Sequence, residues 1–245
     1  MNNKETSILG YSVFIEDLNP LIGKPQFETD GEKLIINTIN PHSYAESKKD
    51  RLFEKALKSS SYLIPDGIGI VLMLRLLKGI KIKRFTGSDL HDLLLEKAEA
   101  YHLKVFYFGS APATLEKIEA KIKQRYPNIK VASYSPPYKE SLDEEDNRAA
   151  LKAINDFAPD ILFVGMTAPK QEKWVFSNQS ELNASVICSI GAVFDFFAGT
   201  KQRSSPFWNS IGLEWLPRLL KEPTRLWKRV FISAPIFFWD AFTKR

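Results

Sequence analysis

Six short apolar segments recur along the chain, and segments with helical spacing or turn residues separate them. Parallel strands that are buried on both faces have this apolar character, and they need helical crossovers between them. The alternation therefore predicts an α/β fold with a mostly parallel, Rossmann-like sheet that is covered by helices. The predicted strands are Lys33–Ile39, a segment ending at Pro65, Lys104–Gly109, Ile129–Tyr134, Asp160–Met166 and Ser185–Ile190.

Helices and the N-terminal region are patterned less sharply than the strands. The apolar spacing predicts a helix over Ser43–Ser59, and Ser88 in FTGSDL is a candidate N-cap for a later helix. The first thirty residues predict a short strand and a helix.

The sequence IPDGIG places a carboxylate at the end of the second predicted strand. Pro65 cannot donate to a sheet ladder and so ends the strand, while Gly67 and Gly69 allow a tight turn into the next helix. Asp66 then lies at the carboxyl end of a strand, where open α/β sheets bind their ligands. A structural alternative is that Asp66 caps the following helix.

Two other strand ends carry polar side chains that can reach the same edge of the sheet. Thr38 and Asn40 stand at the end of the first predicted strand. Asp195 follows the last predicted strand and lies among aromatic residues in GAVFDFFAG. An acid in such surroundings must find a partner, because an unpaired buried charge is costly, and the hydroxyls of a ribose would serve.

The segment after the fifth predicted strand has the features of a phosphate site. Pro169 suits the first position of a helix, which would place Lys170 and Gln171 in a first turn whose free N–H groups favour phosphate. The alternative is that Lys170 and Glu172 are solvated surface residues and that Gln171 has no function.

The cysteine and histidine content excludes several classes of site. A single cysteine, Cys188, rules out an intrachain disulfide and fits a reducing compartment. Three scattered histidines form no metal-ligand cluster, and no Asp-x-Asp motif is present to carry a divalent ion. The polar N-terminus has no features of a signal peptide, so we expect a cytoplasmic protein.

The positive charge of the chain is concentrated in its last residues. Residues 217–245 hold seven Lys and Arg against two acids, which leaves 27 of each sign in residues 1–216. A neutral body argues against nucleic-acid binding, which favours a basic surface over the domain. We therefore expect an α/β domain over residues 1–216 and a basic, aromatic C-terminal appendage over residues 217–245.

The apolar run in the appendage is too short to cross a membrane. Its apolar run Val230–Trp239 has ten residues and contains Pro235, whereas a spanning helix needs about 20. A basic amphipathic helical segment that lies at the membrane interface fits better. The alternative is that the aromatic residues form ordinary core or the contact of a homo-oligomer.

Six motifs in order along the chain resemble the WecG/TagA/CpsF family of bacterial glycosyltransferases. They run from about residue 33 to residue 229 and read NTIN, IPDGIG, FTGSDL, GMTAPKQEKW, GAVFDFFAG and GLEWLPRLLKEPTRLWKR. The resemblance implies transfer of N-acetylmannosamine or its uronic acid from a UDP donor to a sugar on a polyprenyl diphosphate. It also implies inversion at the anomeric carbon, no metal and no other cofactor, and action at the cytoplasmic face of the membrane.

The resemblance assigns roles in the acceptor half of the reaction. Asp66 matches the proposed catalytic base, which would take the proton from the acceptor hydroxyl, a function worth roughly 10²–10⁴ in rate. Thr38 and Asn40 match polar residues that line the same pocket and would orient the hydroxyls of a substrate.

The resemblance also implies which residues bind the diphosphate and which form the donor site. Arg84 matches a basic residue of the pocket, and Arg218 and Arg225 match arginines thought to close over the site and neutralise the leaving diphosphate, as a metal-free reaction requires. The donor-site residues implied by the motifs are Gln171 with its neighbours Lys170 and Glu172, and Asp195 for the uridine ribose.

Two other functional classes compete with this interpretation. A dinucleotide-dependent oxidoreductase would use a similar sheet, but the chain lacks the G-x-G-x-x-G fingerprint. A non-enzymatic lipid- or nucleic-acid-binding module is the other alternative. Binding of a UDP-sugar, measured by calorimetry, would separate these classes.

Overall fold

Two antiparallel strands open the chain and a parallel sheet follows. The computed structural model describes residues 4–20, 22–23, 33–82, 84–201 and 215–244. Strands β1 (Glu5–Ile8) and β2 (Tyr11–Phe14) form an antiparallel hairpin, where the sequence predicted one strand. The parallel strands are β3 (Leu34–Ile39), β4 (Tyr62–Pro65), β5 (Lys104–Gly109), β6 (Lys130–Tyr134), β7 (Ile161–Gly165) and β8 (Val186–Ser189).

The six strands β3 to β8 form one sheet in the order β4-β3-β8-β7-β5-β6, and every neighbouring pair is parallel. Helices cover both faces, which confirms the predicted fold class. Alternate residues of a strand point to opposite faces, so Ile161 and Phe163 enter one core while Leu162 and Val164 enter the other. Strand β7 is buried along its whole length for this reason.

The helices occupy the crossovers and the C-terminal region. They are α1 (Pro41–Ser47), α2 (Arg51–Lys58), α3 (Ile68–Lys78), α4 (Gly87–Tyr101), α5 (Pro112–Arg125), α6 (Glu144–Phe157), α7 (Lys170–Asn178), α8 (Val193–Ala198), α9 (Trp215–Lys221), α10 (Pro223–Lys228), a π-helix (Arg229–Ser233) and α11 (Ala234–Thr243). The single helix predicted over Ser43–Ser59 is wrong, because Asp50 interrupts it and caps α2. The Oδ1 atom of Asp50 accepts hydrogen bonds from the amides of Leu52 and Phe53, each at 3.0 Å.

Connections leave β5 and β7 in opposite directions. Strand β5 leads outward to β6, whereas β7 leads to β8 on its other side, and ligands of open α/β sheets bind at such a switch point. The strands approach closely at their carboxyl ends, where Gly109 is aligned with Gly165. A Cβ atom on Gly165 would lie 2.4 Å from the Phe194 ring, so only glycine fits there.

Of the C-terminal helices (Trp215–Thr243), the π-helix packs against α1, and α11 packs against α1 and α3, the helices that follow β3 and β4. Phe237 of α11 joins a core cluster with Tyr44 of α1 and Met73 of α3. The Tyr44 hydroxyl donates to Asp240 Oδ2 at 2.7 Å, and Lys48 and Lys244 form ion pairs with the same carboxylate. In the described part of the chain no helix has the length and apolar character needed to cross a membrane.

Candidate functional site

A cleft of about 2100 Å³ runs along the carboxyl ends of all six parallel strands. Helix α4 borders one part of it, and Trp215, Arg229 and Phe238 of the C-terminal helices border another. The side chains of Arg218 and Arg225 lie outside the described residues. The cleft is lined by the eight other residues predicted for the site, namely Thr38, Asn40, Asp66, Arg84, Lys170, Gln171, Glu172 and Asp195.

Asp66 is held beside the end of β3 by the pairing of two parallel strands. Ile39 is aligned with Pro65, and the Asp66 amide donates to the carbonyl oxygen of Ile39 at 2.8 Å. Gly67, at φ +85°, is the N-cap of α3, and no side chain accepts a capping hydrogen bond there. Gly67, and not Asp66, therefore holds the N-cap position of α3.

Asn40 has a structural task as well as a place in the cleft. Its Oδ1 atom accepts hydrogen bonds from the amides of His42 and Ser43, each at 3.0 Å, and so caps α1. Both lone pairs of this oxygen are engaged, which leaves the NH₂ group as the part of the side chain that can serve a substrate. Pro41 follows at the first helical position, where its missing N–H costs nothing.

The helix that follows Arg84 begins with a capping box. Asp89 donates its amide to Thr86 Oγ1 at 3.3 Å, and the Thr86 amide donates to Asp89 Oδ2 at 2.7 Å. The prediction of Ser88 as the cap is wrong, because the reciprocal bond needs an acid three residues after the cap and only Thr86 has one. Ser88 instead lies in the first turn and lines the cleft.

Gln171 and Glu172 form a buried polar pair at the start of α7. The Gln171 Nε2 atom donates to Glu172 Oε1 at 2.8 Å, and the Glu172 side chain belongs to a residue that is only 3% exposed. Burial raises the pKa of Glu172 to about 7, and the hydrogen bond from Gln171 opposes part of that shift. The alternative that Glu172 is solvated surface is therefore wrong.

This pair and the neighbouring strand end at Ser189 contain buried polar atoms without a described partner. No residue in the described ranges hydrogen-bonds to Gln171 Oε1, Glu172 Oε2 or Ser189 Oγ, and all three atoms are buried in residues that line the cleft. Buried polar atoms normally have partners, so this part of the cleft has the chemistry to receive the N–H and O–H groups of a ligand. Ser189 was not predicted, because one serine at the end of a strand carries no sequence signal.

Lys170, in the same turn as Gln171 and Glu172, already donates a hydrogen bond within the chain. Pro169 takes the N-cap position, one residue before the predicted place, and Lys170 opens the helix. The Lys170 ammonium donates to the carbonyl oxygen of Lys139 at 2.6 Å, and burial lowers its pKa.

Asp195 has partners within the chain. Lys201 forms an ion pair with its carboxylate at 3.3 Å, and the Thr200 hydroxyl donates to it at 3.2 Å. The partner that this acid was expected to find is thus supplied within the chain, and Asp195 also lines the cleft, so its role toward a ribose stays a prediction.

His42 is a cleft residue that the sequence did not indicate. Its Nδ1 atom lies 2.9 Å from Ser233 Oγ, which connects α1 to the π-helix. Burial, together with the charge of Arg229, lowers the pKa of His42 to about 4, so the imidazole is neutral at pH 7. The two partners are 191 residues apart in sequence, and no local sequence pattern predicts such a contact.

No cluster for a metal ion was found among the described residues. Groups of three or more His, Cys, Asp or Glu side chains with suitable placement are absent from them. His91, for example, is buried in the core and its Nε2 atom lies 2.7 Å from the Tyr107 hydroxyl.

Comparisons with known proteins agree with the motifs. A sequence profile described as "Glycosyl transferase WecG/TagA/CpsF family" matches residues 7–245. A Bacillus subtilis (strain 168) protein is 34% identical over 201 residues, which cover 82% of this chain and 76% of that protein. A Staphylococcus aureus (strain MW2) protein is 32% identical over 208 residues, which cover 84% and 78%. Both relatives are named "N-acetylglucosaminyldiphosphoundecaprenol N-acetyl-beta-D-mannosaminyltransferase".

Proposed function

This chain belongs to the WecG/TagA/CpsF family of glycosyltransferases, and we propose that it moves N-acetylmannosamine or a related hexose derivative from a UDP donor. The proposed acceptor is N-acetylglucosamine on diphosphoundecaprenol, the acceptor in the names of its relatives. The product would serve the synthesis of a cell-surface polysaccharide or teichoic acid. Family membership sets aside the oxidoreductase and the non-enzymatic module.

The observation that carries the proposal is the position of Asp66 in a cleft with two different ends. Asp66 lies beside Asn40 at the ends of β3 and β4, where a sugar hydroxyl can approach. Gln171 and Glu172 lie in the first turn of α7, the helix that follows β7, and so lie next to the switch point at which α/β sheets bind nucleotides. One cleft can thus hold an acceptor at one end and a UDP-sugar at the other.

In the proposed reaction Asp66 acts as a general base. The acceptor hydroxyl oxygen forms a bond to the anomeric carbon while the bond from that carbon to the UDP oxygen breaks. The hydroxyl proton passes to the Asp66 carboxylate, and the electron pair of the broken bond leaves with UDP. Attack from the face opposite the leaving group inverts the anomeric centre.

Cations are proposed to stabilise the leaving diphosphate without a metal ion. Arg84 lines the cleft immediately before α4. Arg218 and Arg225 are proposed to complete the cation set from the C-terminal helices. Fixed cations directed at a developing negative charge supply electrostatic stabilisation in the way a metal would.

The C-terminal helices are proposed to attach the enzyme peripherally to the cytoplasmic membrane. Phe231 and Trp239 are mostly exposed there, and the segment has a net charge of +5. Each Lys or Arg near an anionic leaflet contributes about 1 kcal/mol, so the attachment is expected to weaken with salt.

Asp66→Asn tests the proposal directly. The change is isosteric and removes the basic oxygen, so we expect transfer to fall by roughly 10² or more while UDP binding by calorimetry is retained. Asp156→Asn, at an exposed acid of α6, is the matched control and should transfer like wild type. Turnover of Asp66→Asn within threefold of wild type would rule out Asp66 as the base.

A further inference from the structure

Helix α3, which follows Asp66, exposes a row of large apolar side chains. Ile68, Leu72 and Leu76 are 43%, 42% and 60% exposed. Residues four apart advance by about 40° around a helix, so the three side chains form one stripe along about 12 Å of α3. We call these three residues the α3 stripe.

The α3 stripe adjoins the surface of the C-terminal helices. Gly69 lies about 20° beyond Leu76 around the helix. A Cβ atom on Gly69 would lie 3.6 Å from the Phe238 ring of α11, so this edge of α3 contacts α11. Phe242 lies one turn beyond Phe238 on the same side of α11 and is 51% exposed. The apolar surface therefore continues from one helix to the other.

The two segments of sequence that carry the stripe and α11 are strongly basic. Residues 67–88 contain five Lys and Arg and no acid, and residues 217–245 contain seven against two acids. One of those two acids, Asp240, is already engaged by Lys48 and Lys244. Arg75 flanks the stripe about 20° from Ile68, where its long side chain can reach past apolar neighbours to a charged headgroup.

This charge selects the partner. A second copy of the chain would present the same positive surface and be repelled, whereas an anionic lipid leaflet would be attracted. Apolar side chains rimmed by Lys and Arg are the composition of interfacial segments that enter the boundary between headgroups and acyl chains.

We propose that the α3 stripe enters an anionic lipid leaflet together with the aromatic side chains of α11. The inference rests on the proposed membrane attachment and extends it from the C-terminal helices to the helix that follows the catalytic base. Ile68 lines the cleft and is two residues from Asp66. Insertion of the stripe would therefore place the mouth of the cleft against the leaflet, where a lipid-linked acceptor resides.

Flotation with vesicles of equal parts phosphatidylcholine and phosphatidylglycerol tests the stripe. The double variant Leu72→Gln/Leu76→Gln should bind about tenfold or more weakly than wild type, because it loses two apolar anchors but no charge. Leu72→Met/Leu76→Met is the matched control and should bind like wild type. Transfer to a water-soluble, short-chain acceptor should be unchanged in both variants.

A fluorescent label provides a second measurement on a folded chain. Cys188 is the single cysteine of the sequence and is fully buried, so an introduced surface cysteine can be labelled selectively. An environment-sensitive dye at Leu76→Cys should shift its emission to the blue when vesicles are added. The same dye at Ala120→Cys, on the exposed side of α5, should not shift.

The outcomes separate this inference from the proposed function. Equal flotation of wild type and the Gln variant, with no shift of the Leu76 dye, would overturn the stripe and leave the membrane attachment standing. A wild type that does not float would overturn both. A dye shift that follows protein concentration without vesicles would assign the stripe to a second copy of the chain. Transfer to the short-chain acceptor tests the glycosyltransferase activity independently of these three outcomes.

Discussion

Replacing Glu172 with glutamine is predicted to stabilise the protein at alkaline pH. Glu172 is buried, and its pKa is about 7 in the folded chain against an ordinary value of 4.5. Between those two values the folded state keeps a proton that the unfolded state has lost. The free energy of unfolding therefore falls as the pH rises from about 4.5 to about 7.

The size of the effect follows from the shift. Below about pH 4.5 both states are protonated and the carboxyl costs nothing through ionisation. Above about pH 7 both are ionised, and the folded state carries the cost of the buried charge, roughly 3 kcal/mol at 1.36 kcal/mol per pKa unit. Glu172→Gln cannot ionise, so its stability relative to wild type should increase by most of that amount, about 2 kcal/mol or more, between pH 5 and pH 8.

Urea denaturation followed by circular dichroism at the two pH values measures this difference. The new NH₂ group adds the same offset at both pH values, and that offset cancels. Glu116→Gln, the same substitution at an exposed acid of α5, serves as the matched control. An identical stability difference between Glu172→Gln and wild type at pH 5 and pH 8 would refute the raised pKa.

Two further predictions concern the metal ion and the C-terminal helices. Because the leaving diphosphate is assigned to arginines, EDTA should leave the transfer rate unchanged, and a rate restored only by Mg²⁺ or Mn²⁺ would contradict that assignment. Asp240→Ala removes the acceptor of the Tyr44 hydroxyl and of two ammonium groups, so the free energy of unfolding should fall by about 1–3 kcal/mol and amide exchange in α11 should accelerate. Lys244→Ala, at an exposed partner, is the control and should lose much less stability, because an exposed ion pair contributes little, and an equal loss in the two variants would refute the role of Asp240.

The strands were predictable because their signal is local. All six apolar segments are strands, and their predicted bounds differ from the observed ones by at most a few residues, as for Asp160–Met166 against Ile161–Gly165. The order of the strands was not predictable, because neighbours such as β3 and β8 pair across about 150 residues of chain. The hairpin at the N-terminus was missed because each of its strands has four residues and little alternation to detect.

The residues of the candidate site also divide into those that local sequence predicts and those that depend on tertiary packing. Residues that directly follow a strand, such as Asp66 and Asn40, were placed correctly in the cleft by a rule about the edges of parallel sheets. The burial of Glu172 was not predictable, because the helical position of a charged residue does not reveal what covers it. The bond between Tyr44 and Asp240 joins residues 196 positions apart and depends on where the C-terminal helices pack.

Three helices meet next to the two residues that would meet the acceptor. A Cβ atom on Gly69 of α3 would lie 2.7 Å from the Pro41 ring of α1 and 3.6 Å from the Phe238 ring of α11, so there is no room even for a methyl group. Pro41 directly follows Asn40, and Gly69 comes three residues after Asp66. Close-packed contacts transmit displacement, because they cannot be compressed. We therefore expect the spacing of Asp66 and Asn40 to depend on how α11 is seated, so that the C-terminal helices would contribute to the proposed active site as well as to the proposed membrane attachment.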